Sequence, residues 1–487
     1  MAQISQQFIE HIQQQLPESV PLDDLLSACQ CPLRKSIRAN LLKISPQELR
    51  QEFESHGYKL QPIPWCDEGF WVDESEKALP ENLGNWLPHL EGQCYIQEAS
   101  SMLPVKALLH DFECHEDSAF LDMAAAPGSK TTQLTAQINN QGLVVANELS
   151  SSRLKGLHYN LQRCGVTNSV LCHTDARNFG ERTPEFFDAI LLDAPCGGEG
   201  TVRKDEQALA DWSIDAVRAI SELQKDLIVS AYKALKPGGR LVYSTCTLSK
   251  EENQEVCQHL LDLYGDTIQI KPLSGLFEGA DKALTTEGYL HVYPNLYDCE
   301  GFFVACFEKK LLHGLTTNNF SNSNTRFSFS PISAENFATA STHSSLFGWD
   351  IGSIKQQLWQ KDNRGRSVEI WLLPKSTEKL CQHIKLNRYG IKLMEISKHG
   401  TKLHHQAAIS FGERFSQQKI ELTGQQAEDY YQGKDIYLES PIKSPNHKEY
   451  MVTYKQTPLG LVKHLGNKLK NNLPRDLVRD KTFNELP

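Results

Sequence analysis

The chain has 487 residues, 40% of them hydrophobic and 23% charged, and carries a formal net charge of −10. At roughly 100–200 residues per domain this length calls for two to four domains, and the composition excludes wholesale disorder and a fibrous fold. The acidic balance also excludes a histone-like coat on nucleic acid, although a local basic face stays open because net charge averages over surfaces that touch no ligand.

No stretch reaches the roughly 18 consecutive apolar residues of a membrane span, so no membrane partner is expected. Residues 1–21 are polar and Gln-rich, without a basic segment followed by an apolar one, so no signal peptide is expected. The 13 cysteines form no C-x-x-C pair, and Cys29 and Cys31 stand one residue apart. No metal site is expected from that spacing. Free thiols fit a reducing cytoplasm, where a functional cysteine acts as a nucleophile or an acid/base group.

Residues 1–92 alternate apolar helical stretches with a basic segment at 32–50. There Arg34, Lys35, Arg38, Lys43 and Arg50 face a single acid, Glu48, and contacts to nucleic-acid phosphates are expected. From 93 to 310, short apolar runs ending in Gly, Pro, Asp or Glu alternate with amphipathic helical stretches. The runs 119–123, 142–146, 169–172, 187–192 and 240–244 predict a doubly wound, mostly parallel α/β sheet. The run 301–307 follows without a clear intervening helix and reads as an antiparallel edge strand. Residues 315–345, rich in Asn, Ser and Thr, read as a linker within a middle region at 311–388. Residues 367–373 and 390–396 alternate like strands. The last region, 389–487, turns basic: from Pro441 onward nine Lys/Arg stand against four Asp/Glu. No internal repeat is present.

After the first run comes Met123, then Ala124, Ala125, Ala126, Pro127, Gly128, Ser129 and Lys130. Small residues at the carboxyl end of a parallel strand let the backbone approach a cofactor closely. The N–H groups of the next helix start then favour a carboxylate or phosphate. The loop is not a Walker A loop, because Ser129 separates Gly128 from Lys130 and position 123 is Met. Asp122, Glu148, Asp175 and Asp193 end or follow four successive runs and so line one rim of the sheet. Glu148 suits a ribose diol there, and Asp175 an adenine amine. Two cysteines reach the same rim. Cys196 follows Asp193-Ala194-Pro195, and Cys246 sits in Tyr243-Ser244-Thr245-Cys246-Thr247. Lys130 can contact cofactor or substrate, and Arg203 and Lys204 can contact phosphates or stay solvated. The pair His404-His405 has no third ligand and reads as structural.

These motifs, with Tyr95-Ile96-Gln97-Glu98-Ala99-Ser100-Ser101-Met102, Thr201-Val202-Arg203-Lys204-Asp205 and Glu251-Glu252-Asn253, resemble the Nop/Sun family of RNA cytosine-5 methyltransferases. The resemblance covers the whole α/β core in order. It implies a Rossmann-like class I methyltransferase fold, with an N-terminal α/β RNA-contacting domain and a C-terminal PUA-like, β-rich RNA-binding domain. It implies S-adenosyl-L-methionine as cofactor, held by 124–130, Glu148, Asp175 and Asp193. The nearest branch modifies a cytosine near the decoding site of 16S ribosomal RNA, so the expected partner is ribosomal RNA within the small subunit. A monomer is expected. Cytosine carbon 5 becomes nucleophilic once a thiolate has added at carbon 6. Spacing leaves open which cysteine attacks; the resemblance assigns attack to Cys246 and product release to Cys196, with Asp193 as the third catalytic residue. Two rivals remain: a DNA cytosine-5 methyltransferase with the cysteine roles exchanged, and a non-catalytic RNA-binding assembly factor.

Overall fold

A computed structural model describes residues 3–311, 327–438 and 448–486. Residues 315–326 of the expected linker and 441–447 of the basic tail lie outside the described residues.

The five apolar runs become parallel strands: β1 (Ala119–Asp122), β2 (Leu143–Asn147), β3 (Ser169–Cys172), β4 (Phe187–Asp193) and β5 (Leu235–Thr245). Burial on both faces makes such strands continuous apolar runs rather than alternating ones. With β6 (Ile268–Ile270), β7 (Phe302–Lys309) and β8 (Leu386–Tyr389), the strand order is β6-β7-β5-β4-β1-β2-β3-β8. The chain winds outward from β1 to β3, then restarts on the other side of β1 with β4. That reversal opens a crevice at the carboxyl ends of β1 and β4, where α/β sheets bind ligands.

Helices cover both faces: α1 (Ser129–Gln137), α2 (Ser151–Arg163), α3 (Ile214–Ala234) and α4 (Gln254–Tyr264). Alternate strand residues feed separate apolar layers. Leu121, Val145, Ile190 and Leu241 pack with Leu227 and Ile228 of α3 and Leu260 of α4. Phe120, Val144, Leu191 and Val242 pack with Leu134 of α1 and with Leu103 and Leu108. Each such side chain, fully buried, contributes about 1.5–3 kcal/mol.

Two sequence expectations need correction here. β7 is antiparallel, with Phe303 opposite Thr245, but it is not the edge: β6 pairs outside it, and α4 lies between β5 and β7 in the chain. Part of the expected linker is a helix, Ala334–Leu346, capped by the Ser333 hydroxyl and packed through Ala340. Its Ala, Ser and Thr residues supply too weak an apolar stripe to be legible as a helix.

Before the core, Lys59–Ile63, Cys66–Asp73, Ser36–Ala39 and Cys94–Ile96 form a four-stranded sheet. The helices Gln6–Gln13 and Leu22–Cys29 leave that sheet and pack Phe8, Ile12 and Leu25 against Val202, Leu248 and Tyr293 of the core. After the core come two five-stranded sheets, one spanning Ser330–Pro331 to Gly400–Leu403 and one spanning Lys419–Glu421 to Lys468–Asn471. Between two strands of the first of these sheets, Ser367–Leu372 and Ile391–Ser397, β8 returns to the core and pairs antiparallel with β3, so residue 388 falls inside a core strand rather than at a boundary.

Several basic residues expected to reach phosphates are internal ties instead. Arg38 is 1% exposed; it donates to Gln97 Oε1 at 2.8 Å and to Thr132 Oγ1 at 3.0 Å. Lys43 donates to the Glu91 carbonyl at 2.7 Å, and burial pulls its pKa down to about 8. Arg203 binds the Cys31 and Pro32 carbonyls and Asp298, at 3.1, 2.7 and 2.6 Å. Arg38 and Arg203 fasten the N-terminal region to the core, and Lys43 ties two segments within that region.

Candidate active site

The loop after β1 is shaped by what lies beneath it. Asp122 is buried and accepts from Thr131 Oγ1 at 2.6 Å, and burial raises its pKa to about 7. It supports the loop from below, so the acid-lined rim keeps Glu148, Asp175 and Asp193 but not Asp122. Gly128 adopts φ +104°, and a Cβ there would lie 2.9 Å from Leu157 Cδ1 of α2. The same helix holds the loop by hydrogen bonds, from Arg153 Nη2 to the Ala126 carbonyl at 2.6 Å and from Asn160 Nδ2 to the Pro127 carbonyl at 2.9 Å. Ala125 and Ala126 are buried, Ala124 and Ser129 half-buried, and Pro127 exposed.

Glu148 follows β2. Its Oε1 accepts from the Ser150 N–H at 2.7 Å, and Arg153 stands 3.7 Å from Oε2. Leu149 beside it is 65% exposed, an apolar surface next to a strand-end carboxylate. Sequence reasoning missed Leu149, although an apolar residue directly after a rim acid is the signal for it. Asp175 follows β3, caps the turn Ala176–Asn178 and accepts from Arg177 Nη2 at 2.7 Å, which holds its carboxyl below the ordinary range. Small backbone-lined loop, exposed leucine and two carboxylates fit a ligand with an amino-acid carboxylate, a flat purine and a ribose diol.

β4 and β5 run in parallel register, Asp193 beside Ser244, and this brings the two cysteine loops together. Cys196 Sγ and Cys246 Sγ lie 3.1 Å apart. The hydrogen bond with Cys246, then burial, push the Cys196 thiol well above its ordinary value, which favours its protonated form. Asp193 accepts from Ser244 Oγ at 2.8 Å and from Lys130 Nζ at 2.7 Å. Burial opposes the charge on Lys130, but Asp193 and then Asp122 outweigh it and hold the ammonium above its usual value.

A polar shell fixes the thiol loops from behind. Glu199 accepts from Trp212 Nε1 at 2.6 Å and from the Leu248 N–H at 2.9 Å. Asn253 accepts from Thr245 Oγ1 at 2.5 Å and donates to the Thr247 carbonyl at 3.1 Å. Glu252 bridges the two loops. Glu251, beside it, accepts from Gln15 Nε2 at 2.9 Å, which pins the turn to the N-terminal region. To one side, a cavity of about 520 Å³ is lined by Arg34, Lys35, Gln97, Glu98, Arg203 and Lys204; of the last two, Arg203 is buried and Lys204 exposed. His404 and His405 are largely buried, and burial lowers both, to about 4 and about 3, in keeping with a structural role. No group of three or more His, Cys, Asp or Glu side chains fit to hold a metal ion occurs among the described residues.

Four family models match the chain in succession. They are the N-terminal domain of 16S rRNA methyltransferase RsmF over 4–99, 16S rRNA methyltransferase RsmB/F over 110–308, the pre-PUA domain of ribosomal RNA small subunit methyltransferase F over 329–411, and the methyltransferase RsmF PUA domain over 417–479. Ribosomal RNA small subunit methyltransferase F of Escherichia coli K12 is 47% identical over 478 residues, covering 97% of this chain and 96% of the relative. The protein of the same name from Shewanella oneidensis is 48% identical over 494 residues, covering 99% of each. Among solved structures, a methyltransferase homologue from Pyrococcus horikoshii aligns with a TM-score of 0.53 at 33% identity, over 63% of this chain and 95% of that one. NSun6 from Pyrococcus horikoshii, solved with SFG, aligns with a TM-score of 0.55 at 24% identity, over 63% of this chain and 98% of that one, a likeness of fold.

Proposed function

Because the chain belongs to the ribosomal RNA small subunit methyltransferase F family, and is thereby an S-adenosylmethionine-dependent rRNA methyltransferase, we propose that it methylates carbon 5 of a cytosine near the decoding site of 16S rRNA through a covalent bond from Cys246. The observation that carries this reading is the thiol pair at 3.1 Å beside the Asp193–Lys130 ion pair. Cytosine-5 methylation needs a nucleophile that adds at carbon 6 and a base that removes the carbon-5 proton afterwards, and two adjacent thiols can supply both.

In this mechanism the target base leaves its stack and enters the crevice at the strand ends. Cys246, as thiolate, accepts a hydrogen bond from the Cys196 thiol and adds at carbon 6. Asp193 accepts from the exocyclic amine, and Lys130 Nζ, paired with it, brings positive charge to the side of the ring where negative charge builds as the thiolate adds. When bound, S-adenosylmethionine supplies an electrophilic methyl group to carbon 5. Residues 124–130 hold its amino-acid part, Glu148 its ribose, and Leu149 with Asp175 its adenine. The sheet that starts at Ser36 and the C-terminal sheets position the rRNA.

The experiment is transfer of radiolabelled methyl groups to small ribosomal subunits and to naked 16S rRNA, both from cells lacking this protein, with mapping of the product. A 5-methylcytosine in the decoding region is expected. Methylation of another base, or preferential methylation of duplex DNA, would overturn the reading.

Two further outcomes are expected. Glu148→Ala removes a charged acceptor from the ribose and should weaken cofactor binding about ten- to a hundredfold in calorimetric titration, from a loss of roughly 1.5–3 kcal/mol. In the tail, Lys468 is spent on Asp435 at 2.5 Å, whereas Lys463 and Lys470 lie side by side across a strand pair and line a cavity of about 490 Å³ with Lys402 and Lys448. Lys463→Ala with Lys470→Ala should flatten the slope of log K for RNA against log salt by about 0.7–0.9 per lost phosphate contact, with cofactor affinity unchanged. An unaltered slope would place the RNA elsewhere.

A further inference from the structure

We infer that Glu252 is the proton acceptor behind Cys196, the positioning residue that converts Cys196 from hydrogen-bond donor to base once Cys246 is bonded to the substrate. This rests on the reading that Cys246 attacks and Cys196 releases.

The geometry places one carboxyl beneath both thiol loops. Glu252 is 0% exposed. Its Oε2 accepts from the N–H of Gly197, the residue after Cys196, at 2.9 Å. Its Oε1 accepts from Oγ1 of Thr247, the residue after Cys246, at 3.2 Å. Gln224 completes the frame: its Nε2 donates to Glu252 Oε2 at 2.8 Å and to the carbonyl of Pro195, the residue before Cys196, at 2.8 Å. A Cβ at position 197 would lie 2.9 Å from Glu252 Oε1, so the glycine lets the Cys196 loop sit directly on the carboxyl. Three donors, the Gly197 N–H, Gln224 Nε2 and Thr247 Oγ1, converge on its two oxygens, so the buried carboxyl can hold a negative charge despite the cost of burial. Burial, the largest influence, raises its pKa to about 7, so it exchanges a proton near neutrality.

The resting pair poses a problem that Glu252 solves. Cys196 holds its proton foremost through the hydrogen bond to Cys246, then through burial and the charges of Cys246 and Glu252. A protonated thiol cannot take the carbon-5 proton. Once Cys246 Sγ is bonded to carbon 6 it is a neutral thioether, and both of its influences on Cys196 are gone. The Cys196 proton can then pass to the Glu252 carboxylate, which also removes the nearby negative charge. The Cys196 thiolate takes the proton from carbon 5. The electron pair of that C–H bond becomes the carbon 5–carbon 6 double bond, and the pair of the carbon 6–sulfur bond returns to Cys246 as thiolate. Glu252 loses its proton to solvent.

The test uses the full chain with Glu252→Gln, small-subunit RNA and labelled cofactor, and follows covalent adduct and free methylated RNA over time on denaturing gels. The adduct should form at the wild-type rate and carry the methyl group, while release slows at least tenfold. Wild-type release should rise with pH through about 7, where the carboxylate deprotonates, and that rise should flatten in Glu252→Gln. Glu252→Asp, which keeps the charge, should recover part of the release rate. Wild-type release from Glu252→Gln, or equal loss of adduct formation in Glu252→Gln and Glu252→Asp, would overturn the relay and leave Glu252 a brace. Cys196→Ala run alongside separates the two levels: failure of that variant to accumulate adduct overturns the thiol assignment itself.

Discussion

Cys196→Ala is expected to leave the protein covalently joined to its RNA after methyl transfer, whereas Cys246→Ala should bind cofactor and RNA yet never form the bond. The asymmetry follows from what each thiol does to a shared intermediate. Elimination of a thiolate from carbon 6 requires loss of the carbon-5 proton, so removing the base strands the adduct. Removing the nucleophile prevents the adduct altogether. The environments favour this division: the hydrogen bond with Cys246 and burial raise the Cys196 thiol, and a protonated thiol beside a nucleophile stabilises the thiolate form of its partner. A denaturing gel after incubation with RNA and cofactor reads the result as a slow-migrating band from Cys196→Ala and none from Cys246→Ala. The reverse pattern would exchange the roles, and no band from either folded variant would remove the covalent mechanism.

The core was legible because its strands are buried on both faces and bounded by Gly, Pro and Asp, a signal that needs no knowledge of partners. β1 to β4 match their apolar runs to within a residue or two at either end. β6 and β8 were not legible. β6 has three residues and an exposed Gln269 at its centre, and β8 exposes Asn387 and Arg388. Their strand character comes from a partner edge remote in sequence, a tertiary effect that local pattern does not contain. Charge counts misled in a related way. A run of Lys and Arg does not reveal that Arg38 reaches inward to Gln97 while Lys463 and Lys470 face a cavity. At the site, the loop at 124–130 and the thiols carried sequence signals of their own. Glu252 stands in a Glu-Glu-Asn run whose bare reading is a solvated turn; only the passage of the turn before α4 beside both thiol loops makes it a bridge.

Asp193→Ala should lower the methyl-transfer rate about 10²–10³-fold, the cost of removing one preorganised group that stabilises charge at the reacting centre. It should also destabilise the fold, because Lys130 is 8% exposed and would keep a buried ammonium with its nearest counter-charge gone. Breaking a buried pair by deleting one member costs about 3–5 kcal/mol, the upper end applying to fully enclosed pairs; Asp193, whose side chain is 29% exposed, belongs at the lower end. The two losses have different causes and can be separated. Lys130→Met in the Asp193→Ala background removes the stranded charge while keeping an apolar stem in the site. Thermal unfolding of the double variant should return most of the way to that of the parent. Its catalytic rate should stay low, because the acceptor for the cytosine amine is still missing. Recovery of rate together with stability would mean that Asp193 serves only to neutralise Lys130, and the charge on the cytosine ring would then need another partner.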